Sequence, residues 1–279
     1  MRLKRNHFYF HFFLVFCFWL TSHGTELKAQ CSDRNIAFQG GEVVRYHAYY
    51  NWHFVWMNAG EVTFTVKNSQ WQKKPAYHIT AYGSSYKNYD FFYKVRDTFE
   101  VVVDTMRLEP YMFKQVNYEG SYYCNNYYTF NHANRTIKGR IQKEEEPVRN
   151  MTLKWHECSF DLLTMVYRAR NIPYHKFAPG TKIPIKMLVD GAIYDLYIRY
   201  LGVETIKTRD GRRFRCLKFK PLLVEGTIFK SGEDMTVWVT DDKNRVPIIV
   251  EAKVLIGSVK AVFVDAKGLR HPTEAEILN

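Results

Sequence analysis

Alternation with a period of two runs through most of the chain. Between Glu42 and Tyr50, Val43, Arg45, His47 and Tyr49 fall on one face and Val44, Tyr46 and Ala48 on the other. From Gly60 to Val66 the pattern sharpens. Val62, Phe64 and Val66 alternate with Glu61, Thr63 and Thr65, as in a strand with one face in a core and the other in water. Comparable segments cover 76–82, 96–104, 111–118, 122–130 and 136–141, then 181–189, 193–201, 214–221, 235–240, 248–255 and 259–264. Turn residues separate them, among them Gly40-Gly41, Gly191, Asp210-Gly211 and Asp241-Asp242-Lys243-Asn244. The pattern predicts about a dozen antiparallel strands in succession.

One segment breaks the rhythm. In Ser159 to Arg170, Leu162, Leu163, Val166 and Tyr167 share a helical stripe. Ser159 suits the N-cap, Asp161 the first turn and Arg168 and Arg170 the last, while Pro173 ends the segment. The spacing predicts a single helix of about three turns with its apolar stripe on a sheet and Arg170 near a solvated end. Upstream, Glu144-Glu145-Glu146-Pro147 reads as an exposed loop and as a border between halves 30–147 and 148–279 of one β-rich domain spanning 30–279. No repeat of 20 to 50 residues is visible. The fold class expected is mainly β: a large curved antiparallel sheet, or half-open barrel, wrapped around one mid-chain helix. Composition agrees, with 20 Tyr and 20 Phe against 15 Gly and 9 Pro.

The first thirty residues fix the expected compartment. Arg2, Lys4 and Arg5 make a cationic start, Phe8 to Leu20 an apolar run interrupted by His11, and Leu27-Lys28-Ala29-Gln30 a polar close. That order is a secretory signal peptide, with cleavage expected after Ala29. The run is shorter than the roughly 20 apolar residues needed to span a bilayer. Cys31 raises the alternative of a lipid anchor, but Gln30 stands where a small residue is wanted, so soluble export to the periplasm or envelope is expected, with no transmembrane segment in the mature chain. Oxidising conditions then permit disulfides among Cys31, Cys124, Cys158 and Cys216, and the sequence does not rank their pairings. None forms a C-x-x-C motif.

The whole chain carries a formal charge of +12. Removal of residues 1–29 takes four cations and one anion, leaving +9 spread along the chain. The densest cluster, Lys207, Arg209, Arg212, Arg213 and Arg215 around Asp210-Gly211, reads as a solvated hairpin tip. Export and the lack of a nucleic-acid motif set nucleic acid aside as a partner.

Several short runs resemble one family. They are Gly41-Glu42, Ala59-Gly60-Glu61, Arg96-Asp97, Leu188-Val189-Asp190-Gly191 with Tyr194-Asp195-Leu196-Tyr197, and Gly202-Val203-Glu204-Thr205-Ile206. Trp238-Val239-Thr240-Asp241-Asp242, Arg245-Val246-Pro247 and Ile256-Gly257-Ser258-Val259 complete the set. Together they resemble the bacterial exported family labelled "domain of unknown function 3108". The resemblance implies a predominantly β domain in the envelope of a two-membrane bacterium. It brings no activity and no catalytic residues. In architecture, a half-open barrel around a helix is similar to envelope lipoprotein-carrier folds.

The search for chemistry rests on the residues themselves. There is no G-x-S-x-G motif and no phosphate-binding glycine loop. His156-Glu157-Cys158-Ser159-Phe160 begins like H-E-x-x-H, but Phe160 stands where the second ligand belongs. Asp241, Asp242 and Asn244 lack the rest of a calcium loop and read as a turn, with Arg245 pairing to one of the carboxylates. Asp190, Glu204 and Glu225 fall on separate strands without spacing that pairs them as in a glycosidase. Aromatic residues offer the better hint. Trp52, Phe54 and Trp56 share a side if the segment is extended, and Tyr122-Tyr123-Cys124-Asn125-Asn126-Tyr127-Tyr128 alternates between core and rim. Asp104-Thr105-Met106 matches a short glycosylation pattern at Thr105.

The expectation is therefore an exported non-enzymatic protein that binds an apolar or amphipathic ligand in a concave sheet. The alternative is a glycan- or protein-binding surface without an interior pocket, and a hydrolase ranks third. Lipid, glycan or an envelope protein are the partners considered. No catalytic, metal or ligand-binding residue is assigned, and no cofactor is expected.

Overall fold

The computed structural model describes residues 34–52, 55–224, 232–254 and 257–278, with only the backbone of Trp52. The expected signal segment 1–29, Cys31, Phe54 and Glu225 lie outside the described residues. A first meander runs through β1 (Val43–Trp52), β2 (Val55–Trp71), β3 (Lys74–Ser85), β4 (Val95–Asp104), β5 (Pro110–Glu119), β6 (Tyr122–Asn131), β7 (Thr136–Lys143) and β8 (Arg149–Lys154). After β9 (Ser159–Phe160) and helix α1 (Leu162–Ala169), a second comprises β10 (Lys182–Val189), β11 (Ala192–Lys207), β12 (Arg213–Pro221), β13 (Met235–Thr240), β14 (Pro247–Lys253) and β15 (Ser258–Lys267), with a short β16 (Glu276–Ile277). The two meanders join where β1 pairs with β15, giving one 16-stranded sheet in the order β8 to β1, then β15 down to β9, with β16 beside β12. The expected mainly-β curved sheet around one helix is what the structure shows. The strands missed are the charged, exposed β8 and the two-residue β9 and β16, which are too short or too polar to show alternation.

Helix α1 holds the halves together because two of its faces are apolar. Leu163 and Tyr167 enter a core with Val66, Ile79, Val101, Val103 and Tyr128 of the first meander. Met165 enters a second core with Ile183, Ile185, Ile198 and Leu217 of the other. Leu162, placed on the buried stripe by the spacing, is 41% exposed. The N-cap also differs from expectation. A two-residue parallel bridge to Lys186 and Met187 draws Ser159 and Phe160 into β9, so Asp161 caps the helix. Its carboxylate accepts from the Thr164 amide at 2.9 Å and from the Thr164 hydroxyl at 2.6 Å.

The far end of the sheet is shut by a buried polar knot, and here Arg170 overturns its expected solvation. The guanidinium grips Glu42 with two hydrogen bonds of 2.5 and 2.9 Å and donates to the Asn244 carbonyl at 3.0 and 2.9 Å. Arg170 is 5% exposed and Glu42 0%. Asn171 Oδ1 accepts from the amides of Ile36 and Ala37 at 2.8 and 3.1 Å. The residue spacing that places Arg170 at a helix end carries no information about the N-terminal segment that folds over it. The Asp241–Asn244 turn belongs to the same closure. Asp242 Oδ1 accepts from the amides of Asn244 and Arg245 at 2.9 and 3.1 Å. Asp241 meets Arg215 at 2.8 Å and His175 at 2.6 Å rather than Arg245, which donates instead to the Ile172 carbonyl.

Candidate functional site

At the opposite end, strand register builds a layered inner face. Ile79, Val101, Phe113, Tyr128 and Gly139 align across β3 to β7 as an apolar floor. One step nearer the mouth the row is Ala81, Phe99, Gln115, Asn126 and Ile141, and the next is Gly83, Asp97, Asn117, Cys124 and Lys143. Val95, Glu119 and Tyr122 line the rim. Side chains two apart on a strand share a face, so each step moves this one from grease towards carboxylates and amides.

The polar rows are buried and only half satisfied. Asn117 donates from Nδ2 to Glu119 Oε1 at 3.0 Å, and Asn126 donates from Nδ2 to Asp190 Oδ1 at 3.2 Å. Each amide thus spends a donor on a carboxylate. The Oδ1 atoms of Asn117, Asn126 and Asp97 remain buried without a hydrogen-bond partner. An unmet buried acceptor costs about 1–3 kcal/mol, and three in adjoining rows are unusual in a finished core. Burial pushes the Asp97 carboxyl up to about 8, and the Glu119 charge and a hydrogen bond to Glu119 add to the effect. At neutral pH Asp97 therefore holds a proton beside Glu119. Burial also pushes the Cys124 thiol up to about 11, against the hydrogen bond from Tyr122.

Two elements cover this chamber. The β10–β11 hairpin turns through Asp190 and Gly191, both with positive φ, and reaches across to the first meander. Asp190 pairs with Lys143 Nζ at 2.6 Å, and Arg149 donates to its carbonyl at 3.3 Å. On the other side stands the loop between β3 and β4, residues 86–94. The Tyr93 ring lies against Gly120, where any Cβ would sit 2.7 Å from it. The loop is stapled at its base: Arg96 and Asp90 pair at 2.7 Å, and Ser85 Oγ donates to Asp90 at 2.6 Å. Its tip faces outward, with Phe91 88% and Phe92 59% exposed.

The sequence-predicted features fall apart in space. Glu204 pairs with Lys218 at 2.8 Å, whereas Asp190 joins the chamber through Asn126. Trp56 is half-buried under Lys260, whose Nζ is 4.5 Å from the ring centroid. In the tyrosine-rich tract, Tyr122, Cys124, Asn126 and Tyr128 take the inner face and alternate with outer residues, as read from the pattern. Asp104 is consumed by the amides of Met106, Arg107 and Glu109 at 2.9, 2.7 and 2.6 Å. The arginine cluster stands at the β11–β12 hairpin tip, as the sequence suggests, with Lys207, Arg209, Arg213 and Arg215 exposed; Arg209 lies over the Tyr49 ring at 4.4 Å and Arg212 pairs with Asp210 at 2.6 Å. The Asp97–Glu119 pair was missed. Its one signal is Asp97 standing at an inward position of β4, in phase with Phe99 and Val101.

The model of the family described as "Protein of unknown function (DUF3108)" matches residues 45–264. The chain belongs to this DUF3108 family. Among solved structures it is similar to a beta-barrel-like protein of the domain of unknown function DUF1849 from Brucella abortus. The TM-score is 0.52 at 7% identity, with 81% of this chain and 96% of that one covered. At that identity the likeness is one of fold. No curated protein matches the chain in sequence. Several of the short DUF3108-like motifs sort into two places. Gly41-Glu42, Thr240-Asp241-Asp242 and Arg245-Val246-Pro247 meet in the knot that shuts one end. Arg96-Asp97 and Ala59-Gly60-Glu61 stand at the chamber, where a Cβ on Gly60 would fall 2.2 Å from the Ser84 carbonyl oxygen.

Proposed function

We propose that this protein is an exported, non-enzymatic binding protein of the envelope of a two-membrane bacterium, and that it holds an amphipathic molecule at the mouth of the barrel. The hydroxyl or ammonium head lies against the acceptor oxygens of Asp97, Asn117 and Asn126, and the apolar part runs along the aromatic rim. The observation that carries this reading is the set of three buried Oδ1 atoms without donors in adjoining rows, which a ligand's N–H or O–H groups would satisfy. Asp97 is only partly buried, so the site is reached from that side. The deeper concavity is taken up by α1, which favours a ligand at the mouth over one in the floor. The Cys124 thiol, buried and pushed up to about 11, is a poor nucleophile.

A second reading, a glycan- or protein-binding outer surface, is favoured by the exposed rings of Tyr82, Tyr118 and Tyr127. Native mass spectrometry of protein purified from its own envelope separates the two. A co-purified small molecule, lost in Asn117→Leu with the fold intact, is expected. Protein that carries no added mass would end the chamber reading.

A further inference from the structure

The exposed tip of the β3–β4 loop is not needed for the chamber and has no place in the cores. Phe91 is 88% exposed, Phe92 59% and Tyr93 45%. Lys87 and Lys94 flank them, also exposed, and the one acid of the loop, Asp90, is already held by Arg96 and Ser85. Phe91, the most exposed of the three, gains nothing from the fold in so open a position, and the staple at Asp90 and Arg96 holds the tip outward.

Register extends the patch. Gly60 pairs with Ser85, so the start of β2 lies at the same end, and Val55 there is 62% exposed. Below the tip, Tyr82 and Tyr118 are 45% and 49% exposed. We propose that the Phe91–Tyr93 tip inserts into the interfacial layer of an anionic bilayer, with Lys87 and Lys94 at the lipid phosphates. Aromatic rings beneath an apolar tip are the arrangement favoured at a headgroup boundary, and paired cations add attraction to anionic lipid. The charge of +9 left once residues 1–29 are removed acts in the same direction. A second copy of the chain fits less well, since a stable interface buries on the order of 1,000 Å² or more and the tip offers few residues. The acidic turn Glu144–Glu146 follows β7 at the same end. At roughly 4.8 Å per strand it stands about 14 Å along the sheet from β4, so contact is confined to the β1–β5 side.

Flotation with vesicles tests this, using the mature chain and either phosphatidylglycerol/phosphatidylethanolamine or pure phosphatidylcholine. The wild type should float with the anionic vesicles and at least fivefold less with the neutral ones. Phe91→Ser should lower anionic binding at least tenfold with an unchanged melting temperature, because that ring makes almost no contact in the fold. Lys87→Glu with Lys94→Glu should abolish the lipid preference. Equal flotation of wild type and Phe91→Ser, or no flotation at all, overturns the proposal. So does a wild-type dimer that Phe91→Ser splits without any change in vesicle binding.

Discussion

Protonation of Asp97 ties the mouth of the barrel to pH. An unfolded aspartate titrates near 4, whereas this one is pushed up to about 8 by burial and by Glu119. The folded state therefore binds more protons than the unfolded one between those values, and its stability falls as pH rises from about 4 to about 8. Asp97→Asn should remove that slope and stabilise the protein at pH 8 relative to wild type. Urea midpoints at several pH values check it, and parallel curves for the two proteins would show that the carboxyl is ionised throughout. Arg170 makes a different residue-scale case. Replacing it with Ala leaves Glu42 buried without its cation, a change that typically costs about 3–5 kcal/mol. Leu163→Ala opens a cavity in the first meander's core and should cost about 2–5 kcal/mol. Similar losses in a urea titration are expected, and a loss under 1 kcal/mol for Arg170→Ala would mean that the knot is solvated.

At the scale of elements, the β10–β11 hairpin acts as the chamber's cover, because its turn is pinned to a different meander. The two-residue Asp190-Gly191 turn needs positive φ at both positions, and Gly191 also sits where a Cβ would fall 2.5 Å from Ile141 Cδ1. Lys143→Ala removes the cation that holds Asp190 while leaving both strands paired. Hydrogen exchange should then quicken at residues 188–193 and stay unchanged in β4 and β5. Uniform exchange across the sheet would show that the ion pair supports the whole fold rather than the cover. The strands were legible because alternation reports a face, and β1 to β7 each carry one. The helix was legible as an element, but its faces were not. Period 3.6 picks out a single stripe, whereas α1 serves two cores, so the stripe omits Met165 and includes Leu162. The acid pair and the knot were hidden for another reason: Asp97 meets Glu119, and Glu42 meets Arg170, only through pairings between strands or segments far apart in the chain.

At the scale of the whole molecule, the cysteines connect fold and compartment. Cys158 is disulfide-bonded, while Cys124 and Cys216 are free and buried. Burial pushes the Cys216 thiol up to about 12, so neither free thiol is set up for exchange. A disulfide persists in an oxidising space and is rare in a reducing one, so the proposed export would let the Cys158 bond persist. The two readings can be tested on one sample. Protein recovered from the envelope should begin at Gln30 or within a residue or two of it. Its digest without reductant should give one cross-linked peptide that contains Cys158. Cys124 and Cys216 should resist alkylation until the sheet is unfolded, because both are 0% exposed. Recovery of Met1, or a diacylglyceryl group on Cys31, would refute the cleavage. Complete alkylation of Cys158 in the native protein would instead refute the bond while leaving the export reading to stand on the N-terminus alone.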